Sequence, residues 1–324
     1  MNCHLTKFAA RVCTGMASFN IIPTLWMGKK TYCSPPGLNL IIYSVNGVTE
    51  CPIPPGGSKV YVFQATEHGT SWYHSHHASQ YGDGVAGPII INGPASANYD
   101  YDLGALPVSD LYYASAYTES IFAQSAAPTA NNGLINGTNK NAAGTTGAYN
   151  VVSGLIPGAK YRLRLINMAV DNHFVLTLDS HIFTVIAADF VPIVPFNTSS
   201  IFIGIGQRYD VIFTASQTPG NYWFRALLPN PTSSEGGSCG ANSNADGILS
   251  IFNYKGVNVT DPTSTVAADI PEICNDVTTI VPHVVKNVPA DSFVWPAPQH
   301  ELQVGGPNIG TAKVWSISKF QSHK

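Results

Sequence analysis

The chain has 324 residues, more than one ordinary β-sandwich needs, and 44% are hydrophobic against only 11% charged, with 29 Gly and 23 Pro. Length and composition together predict two or more globular all-β domains, built from short strands joined by turns rather than from salt-bridged helices. A formal net charge of −3 and the lack of any long Lys/Arg run give no basic field for phosphates, and no apolar run approaches the ~18 residues of a membrane span, so neither nucleic acid nor a membrane is an expected partner.

Residues 1–44 show neither a regular hydrophobic period nor an apolar core with a small-residue cleavage site after it, so no signal peptide is visible and the segment reads as unrelated to the rest of the chain. From about Val45 the character changes. Cys51-Pro-Ile-Pro-Pro-Gly-Gly is a rigid turn, and Lys59 to Gln64 alternates as a half-buried strand does. Thr70 to His76 reads as a second strand, Gly82-Asp83-Gly84 as a turn, and Val85 to Asn92 as a third strand ending at Gly93-Pro94. A linker runs from Ala95 to about Asp102. Further strands are expected at Tyr161 to Ile166, Ile182 to Ala187, Ile201 to Ile205, Tyr209 to Thr214, Tyr222 to Ala226 and Ile248 to Asn253, enough for a second sandwich. The segments Pro55 to Val62 and Pro157 to Arg164 each join a turn to an alternating strand, which fits domain duplication. After Cys274 come Pro282, Pro289, Pro296 and Pro298, then a single strand candidate, Glu301 to Val304. The expected divisions are therefore an unrelated segment 1–44, a partial first domain 45–98, a second domain 99–256, and a connector with the start of a third domain at 257–324.

Chemistry-bearing residues are few. In His74-Ser-His76 on an extended strand, residues two apart share a face, so the two imidazoles can face one metal or two adjacent ones, while His77 points away. Neutral imidazole suits Cu, Zn, Ni or Fe, and a pair fills half of a tetrahedral sphere. On spacing alone a second reading stands beside that one, in which these are partly buried histidines capped by neighbouring hydroxyls. His173 and His181 have no second His at metal-binding spacing and read as structural strand-end residues. The chain's 6 Cys are sparse for a disulfide scaffold, yet Cys239 and Cys274 flank a Gly/Ser/Asn-rich stretch of the kind found outside cells. Sequons at Asn136, Asn197 and Asn258 point to glycosylation and the same compartment.

The segment Gly69-Thr-Ser-Trp-Tyr-His-Ser-His-His-Ala-Ser-Gln-Tyr-Gly-Asp-Gly84 resembles the second copper-binding motif of fungal laccases, within the multicopper oxidases. The resemblance extends to Val48-Thr-Glu-Cys-Pro-Ile53, Ile91-Asn-Gly-Pro-Ala-Ser96, Leu134-Ile-Asn-Gly137, Tyr161-Arg-Leu-Arg-Leu-Ile-Asn167, Asp171-Asn-His-Phe174, Ala187-Ala-Asp189 and Gly206-Gln-Arg-Tyr-Asp210, covers roughly residues 45 to 310, and is to the ascomycete branch. It implies cupredoxin-like β-sandwich domains: a partial domain 1, a complete domain 2 and only the start of domain 3. Laccases take electrons from phenols at a mononuclear copper and reduce dioxygen to water at a trinuclear cluster. By resemblance, His74 and His76 ligate the two type 3 coppers of that cluster, one imidazole each. Asp171 matches the acidic position that helps bind the phenol and accept its proton, and Ala127 and Pro128 match the small residues of the same pocket wall; read from its surroundings alone, Asp171 could equally cap a turn before Asn172. Cys239 and Cys274 match a disulfide that staples the connection between domains 2 and 3. Cys51 matches the partner of a cysteine in domain 3 and is expected to be unpaired. Phenols and dioxygen are the expected partners of an intact parent, and the expected location is extracellular.

The other three copper motifs do not appear in the 324 residues: the stretch where His-Trp-His-Gly belongs reads Leu38-Asn-Leu-Ile-Ile-Tyr-Ser-Val-Asn46, and the His-Pro-x-His-x-His and His-Cys-His runs belong to the end of domain 3. The expectation is thus a truncated laccase-family chain with copper at a type 3 half-site only, no assignable catalytic residue, and no oxidase activity alone. The alternative is a non-enzymatic extracellular module that binds copper or a partner chain.

Overall fold

The computed structural model describes residues 51–56, 58–123, 128–229, 239–267 and 274–287, with the short strands Ala10–Val12, Met16–Ile21, Leu302–Gln303 and Ser316–Ile317. Strands β1 (Ala10–Val12), β2 (Met16–Ile21), β3 (Lys59–Gln64), β4 (Gly69–His74) and β5 (Ala86–Ile91) come first, with a 3-10 helix at Gln80–Asp83. Next in the chain are β6 (Tyr101–Leu111), α1 (Ala116–Phe122), β7 (Asn132–Ile135), β8 (Asn150–Leu155), β9 (Lys160–Asn167), β10 (Phe174–Leu178) and β11 (Phe183–Ala188). The remainder are β12 (Val191–Thr198), β13 (Ser200–Ile203), β14 (Arg208–Thr214), β15 (Asn221–Leu227), β16 (Leu249–Tyr254), β17 (Leu302–Gln303) and β18 (Ser316–Ile317). The fold is all-β, as composition predicts.

A five-stranded sheet in the order β13-β10-β15-β16-β8 faces a six-stranded sheet in the order β12-β11-β14-β9-β6-β7. The reason is visible in the alternation: Leu163, Leu165, Val211 and Phe213 of the six-stranded sheet meet Phe174, Leu176, Phe224 and Phe252 of the five-stranded one in a single core. Phe213 and Phe252 cross between the sheets edge to face, ring centroids 5.8 Å apart. Each such side chain contributes about 1.5–3 kcal/mol by leaving water.

The other face of the six-stranded sheet is also covered, which alternation alone does not foretell. On β9 the polar side chains of Tyr-Arg-Leu-Arg-Leu are buried too, Arg162 and Arg164 being 4% and 2% exposed. Above them lies a three-stranded sheet, β1-β5-β4, in which β4 pairs antiparallel with β5, Gly69 opposite Ile91 and His74 opposite Ala86. β1 joins β5 in parallel and β2 pairs with β3, so the first 44 residues contribute strands to these sheets.

Sequence reading offers no strand over Tyr101–Leu111, because Gly104 and Pro107 interrupt it; β6 nevertheless pairs with β7 and β9, with a register shift between Asp102 and Ala105. The unpaired thiol expected at position 51 is a correction: Cys51 is disulfide-bonded, with a partner outside the described residues. A disulfide needs only a second thiol at the right separation, whichever part of the chain supplies it.

Candidate metal centre

The strand carrying His74 begins at Gly69, whose φ of +135° lies outside the range of ordinary side chains and whose Cα would place a Cβ 3.3 Å from the Asp189 carbonyl oxygen. Glycine lets the strand enter close against the loop after β11. Contrary to the expected strand through His76, β4 ends at His74. Ser75 N–H still donates to Val85 O at 2.8 Å, but the Ser75 hydroxyl then bonds Gln80 Oε1 at 2.7 Å and the chain turns through Ala78, φ +48°, into the 3-10 helix. Gly84, φ +88°, closes that helix. The turn keeps the two histidines together without strand geometry: both are exposed, with ring centroids 5.8 Å apart and planes 40° apart. Trp72, two residues before His74 and on the same face, stacks on its ring at 4.5 Å, and Tyr81 of the 3-10 helix meets it at 4.9 Å.

Below β4, charge fixes the strand to the sandwich. The Thr70 hydroxyl donates to Asp210 Oδ1 at 2.6 Å and accepts from Arg164 Nη1 at 3.0 Å, while Arg208 Nε donates to the Thr70 carbonyl at 3.0 Å. Asp210, 1% exposed, also takes Arg162 at 2.5 Å and Arg164 at 3.2 Å, and Arg164 reaches Asp102 at 2.7 Å. Burial pushes the Asp102 carboxyl up, but the hydrogen bonds and charge of Arg164 outweigh it and hold it below the usual range.

The second group of expected residues surrounds Asp171. Asp110 at the end of β6 accepts the backbone N–H groups of Val170, Asp171 and Asn172 at 2.8–3.1 Å, and so shapes the turn that presents Asp171. Burial nevertheless raises the Asp110 carboxyl, against those three hydrogen bonds and with help from the Asp171 charge. Asn242 ties this turn to the segment holding Pro128: its Nδ2 donates to Asn172 Oδ1 at 2.8 Å, and Ala130 N–H donates to Ala241 O at 3.0 Å. His173 N–H donates to Cys239 O at 2.9 Å, and Cys239 forms a disulfide with Cys274, Cα atoms 5.5 Å apart. Pro128 is half-buried and Ala127 lies outside the described residues. Beside this turn the Tyr112 phenol is pushed up by burial first and then by Asp110, Asp171, Glu119 and Tyr81.

Two family models described as multicopper oxidase match the chain, one over residues 42–96, which hold both histidines, and one over 103–254, which is nearly the whole sandwich. This chain belongs to the multicopper oxidase family. It is 47% identical over 300 residues to Laccase-3 of Botryotinia fuckeliana, covering 90% of this chain and 63% of that protein. With a laccase of Neurospora crassa it shares 48% over 253 residues, 77% of this chain and 39% of that protein. The crystal structure of a laccase from Botrytis aclada superposes with a TM-score of 0.74 at 39% identity, covering 84% of this chain and 50% of that one. The chain thus spans about 39–63% of the length of these two curated relatives.

Copper, the metal of multicopper oxidases, suits this donor set in part. Two imidazoles stand side by side, and His74 Nδ1, 3.0 Å from the Ser75 carbonyl oxygen, leaves Nε2 free to ligate. Among the described residues no group of three or more His, Cys, Asp and Glu could hold a metal ion. His181 is buried between Asp179 O at 2.7 Å and Tyr254 Oη at 2.9 Å, and His173 Nδ1 accepts from Ile205 N–H at 3.3 Å; both are engaged within the protein.

Sequence reasoning missed Thr70, Trp72, Tyr81, Asp110 and the Arg162/Arg164/Asp210 knot. Period-two alternation would have put Trp72 beside His74, but the partners of Thr70 and Asp110 stand 140 and about 60 positions away along the chain. Of the sequons, Asn197 and Asn258 are exposed. Asn136 is half-buried in a turn at φ +52°, with Nδ2, the atom glycosylation would modify, donating to Asn150 Oδ1 at 3.0 Å.

Proposed function

We propose that the chain is a laccase-type oxidoreductase unit in which His74 and His76 hold copper of the type 3 kind, one imidazole each, while Asp171, Ala127 and Pro128 form one wall of a phenol pocket. The observation that carries this reading is the placement of two exposed imidazoles 5.8 Å apart, one at the end of a strand anchored to the sandwich by buried charge and the other in the turn that follows it. Bound copper would supply one-electron redox chemistry, taking electrons from phenols and passing them to dioxygen. The protein's own part is to hold the imidazoles and to give a phenol a carboxylate: Asp171 takes the phenolic proton, which becomes far more acidic as the ring loses an electron.

Divisions at 45–98, 99–256 and 257–324 fit this reading, with β6 beginning at Tyr101 and β16 ending at Tyr254, while β1 and β2 pair across the division between 1–44 and 45–98. Secretion, with glycans on the accessible Asn197 and Asn258 and a further sequon at Asn136, fits it too. Among the described residues no helix is long and apolar enough to cross a membrane. We assign turnover to a protein that supplies the remaining ligands and expect none from these 324 residues alone, since a type 1 site needs a thiolate and two imidazoles.

A second reading, a non-enzymatic extracellular module that binds copper loosely or pairs with another chain, is favoured by the lack of a third ligand beside the pair among the described residues. Cupric titration by calorimetry and electron paramagnetic resonance tests the site common to both. Nitrogen hyperfine coupling that disappears in the His74→Ala/His76→Ala double variant is expected; equal binding in that variant would remove the half-site from either reading.

A further inference from the structure

The two imidazoles are held very differently. Trp72 stacks on the His74 ring at 4.5 Å with planes 27° apart, and Tyr81 meets it from another side at 4.9 Å and 54°. His74 Nδ1 lies 3.0 Å from the Ser75 carbonyl oxygen. A carbonyl oxygen only accepts, so in the neutral ring the proton sits on Nδ1 and Nε2 is bare. The residues that grip the ring are themselves held. The Tyr81 hydroxyl donates to the Ala169 carbonyl of the sandwich at 2.5 Å, and the Trp72 and Tyr81 rings meet at 5.9 Å. A Cβ placed on Gly206, in the turn before β14, would lie 4.0 Å from the Trp72 indole, so Trp72 lies beside that turn of the sandwich. His76 stands two residues beyond the end of β4, is exposed, and has one aromatic-ring contact among the described residues, with His74.

We propose that Trp72 and Tyr81 are positioning residues that fix the His74 ring with Nε2 as its free nitrogen, making His74 the leading ligand of the pair and His76 the adaptable one. This rests on the copper reading of the pair. A metal binding to a ring already in its ligating tautomer and orientation need not spend affinity on ordering it, whereas binding at His76 must order that ring as well. The asymmetry is a property of the apo chain, so it can be read without metal.

Long-range nitrogen–proton spectra of 15N-histidine-labelled apo chain should show His74 in a single tautomer, protonated at Nδ1, and His76 as a mixture. Trp72→Leu and Tyr81→Leu should each turn His74 into a mixture and weaken cupric binding roughly tenfold, while Trp72→Phe, which keeps an aromatic face, restores both. His74→Ala should lower affinity more than His76→Ala. Thermal unfolding of each variant accompanies the titration, and the spectrum of the unsubstituted chain reads the same claim free of any packing defect. A His74 ring already mixed in that spectrum, or cupric affinity unchanged by Trp72→Leu, overturns the positioning role alone. No cupric binding by the unsubstituted chain overturns the copper reading and this one with it.

Discussion

His181 lies between the Asp179 carbonyl and the Tyr254 hydroxyl, and burial pushes its imidazole below the ordinary value, against the pull of Asp179. A base whose folded value is lowered binds fewer protons in the native state than in the unfolded one, so its contribution to stability is present above the ordinary imidazole range and is lost as pH falls. His173 shifts in the same direction, again through burial first. The thermal midpoint should therefore fall between about pH 7.5 and pH 5, and the fall should be shallower in His181→Gln; parallel curves for the two proteins would remove His181 as a source. The sequence allowed His181 to be set aside as a ligand, because no second histidine stands at metal spacing. It did not announce Asp110, whose role exists only through backbone groups some 60 positions away.

At the scale of elements, the strand under the histidines is held by Thr70. Replacing Thr70 with Val keeps its shape but removes the hydroxyl between Asp210 and Arg164, leaving buried groups short of a partner at a cost of about 1–3 kcal/mol. Hydrogen exchange over Gly69–His74 should quicken selectively in that variant; unchanged protection would mean that β5 pairing alone holds the strand. The Cys239–Cys274 bridge closes a separation of 35 residues, and Cys239→Ala with Cys274→Ala should lower unfolding free energy by about 3–4 kcal/mol, measured in urea. Alternation made β3 legible to the residue, Lys59–Gln64, because Lys59, Tyr61 and Phe63 share a half-buried face while Val60 and Gln64 are exposed. It carried no sign that the polar face of β9 is buried under β4, and it placed the end of β4 at His76 where the structure has it at His74.

For the whole molecule, all-β architecture was legible from composition, and the family was legible from the Gly69–Gly84 segment and the matching segments downstream of it. The pairing of sheets was not, since six strand-forming segments, Tyr101–Leu111, Asn132–Ile135, Asn150–Leu155, Phe174–Leu178, Val191–Thr198 and Met16–Ile21, either carry Gly and Pro within them or lie where no period is visible. Long-range pairings, such as parallel β8 on β16 and β6 on β9, have no local signal at all. The sandwich anchors the strand that ends at His74, and we propose that the 324 residues hold a copper half-site and not an oxidase centre. Copper content per chain after reconstitution and dialysis, read beside the oxidation of a phenolic dye, tests that proposal at its root. We predict less than one copper per chain, no blue colour and no turnover. Three or four tightly held coppers with blue colour and dye oxidation would contradict it, because the missing ligands would then have to come from a partner chain.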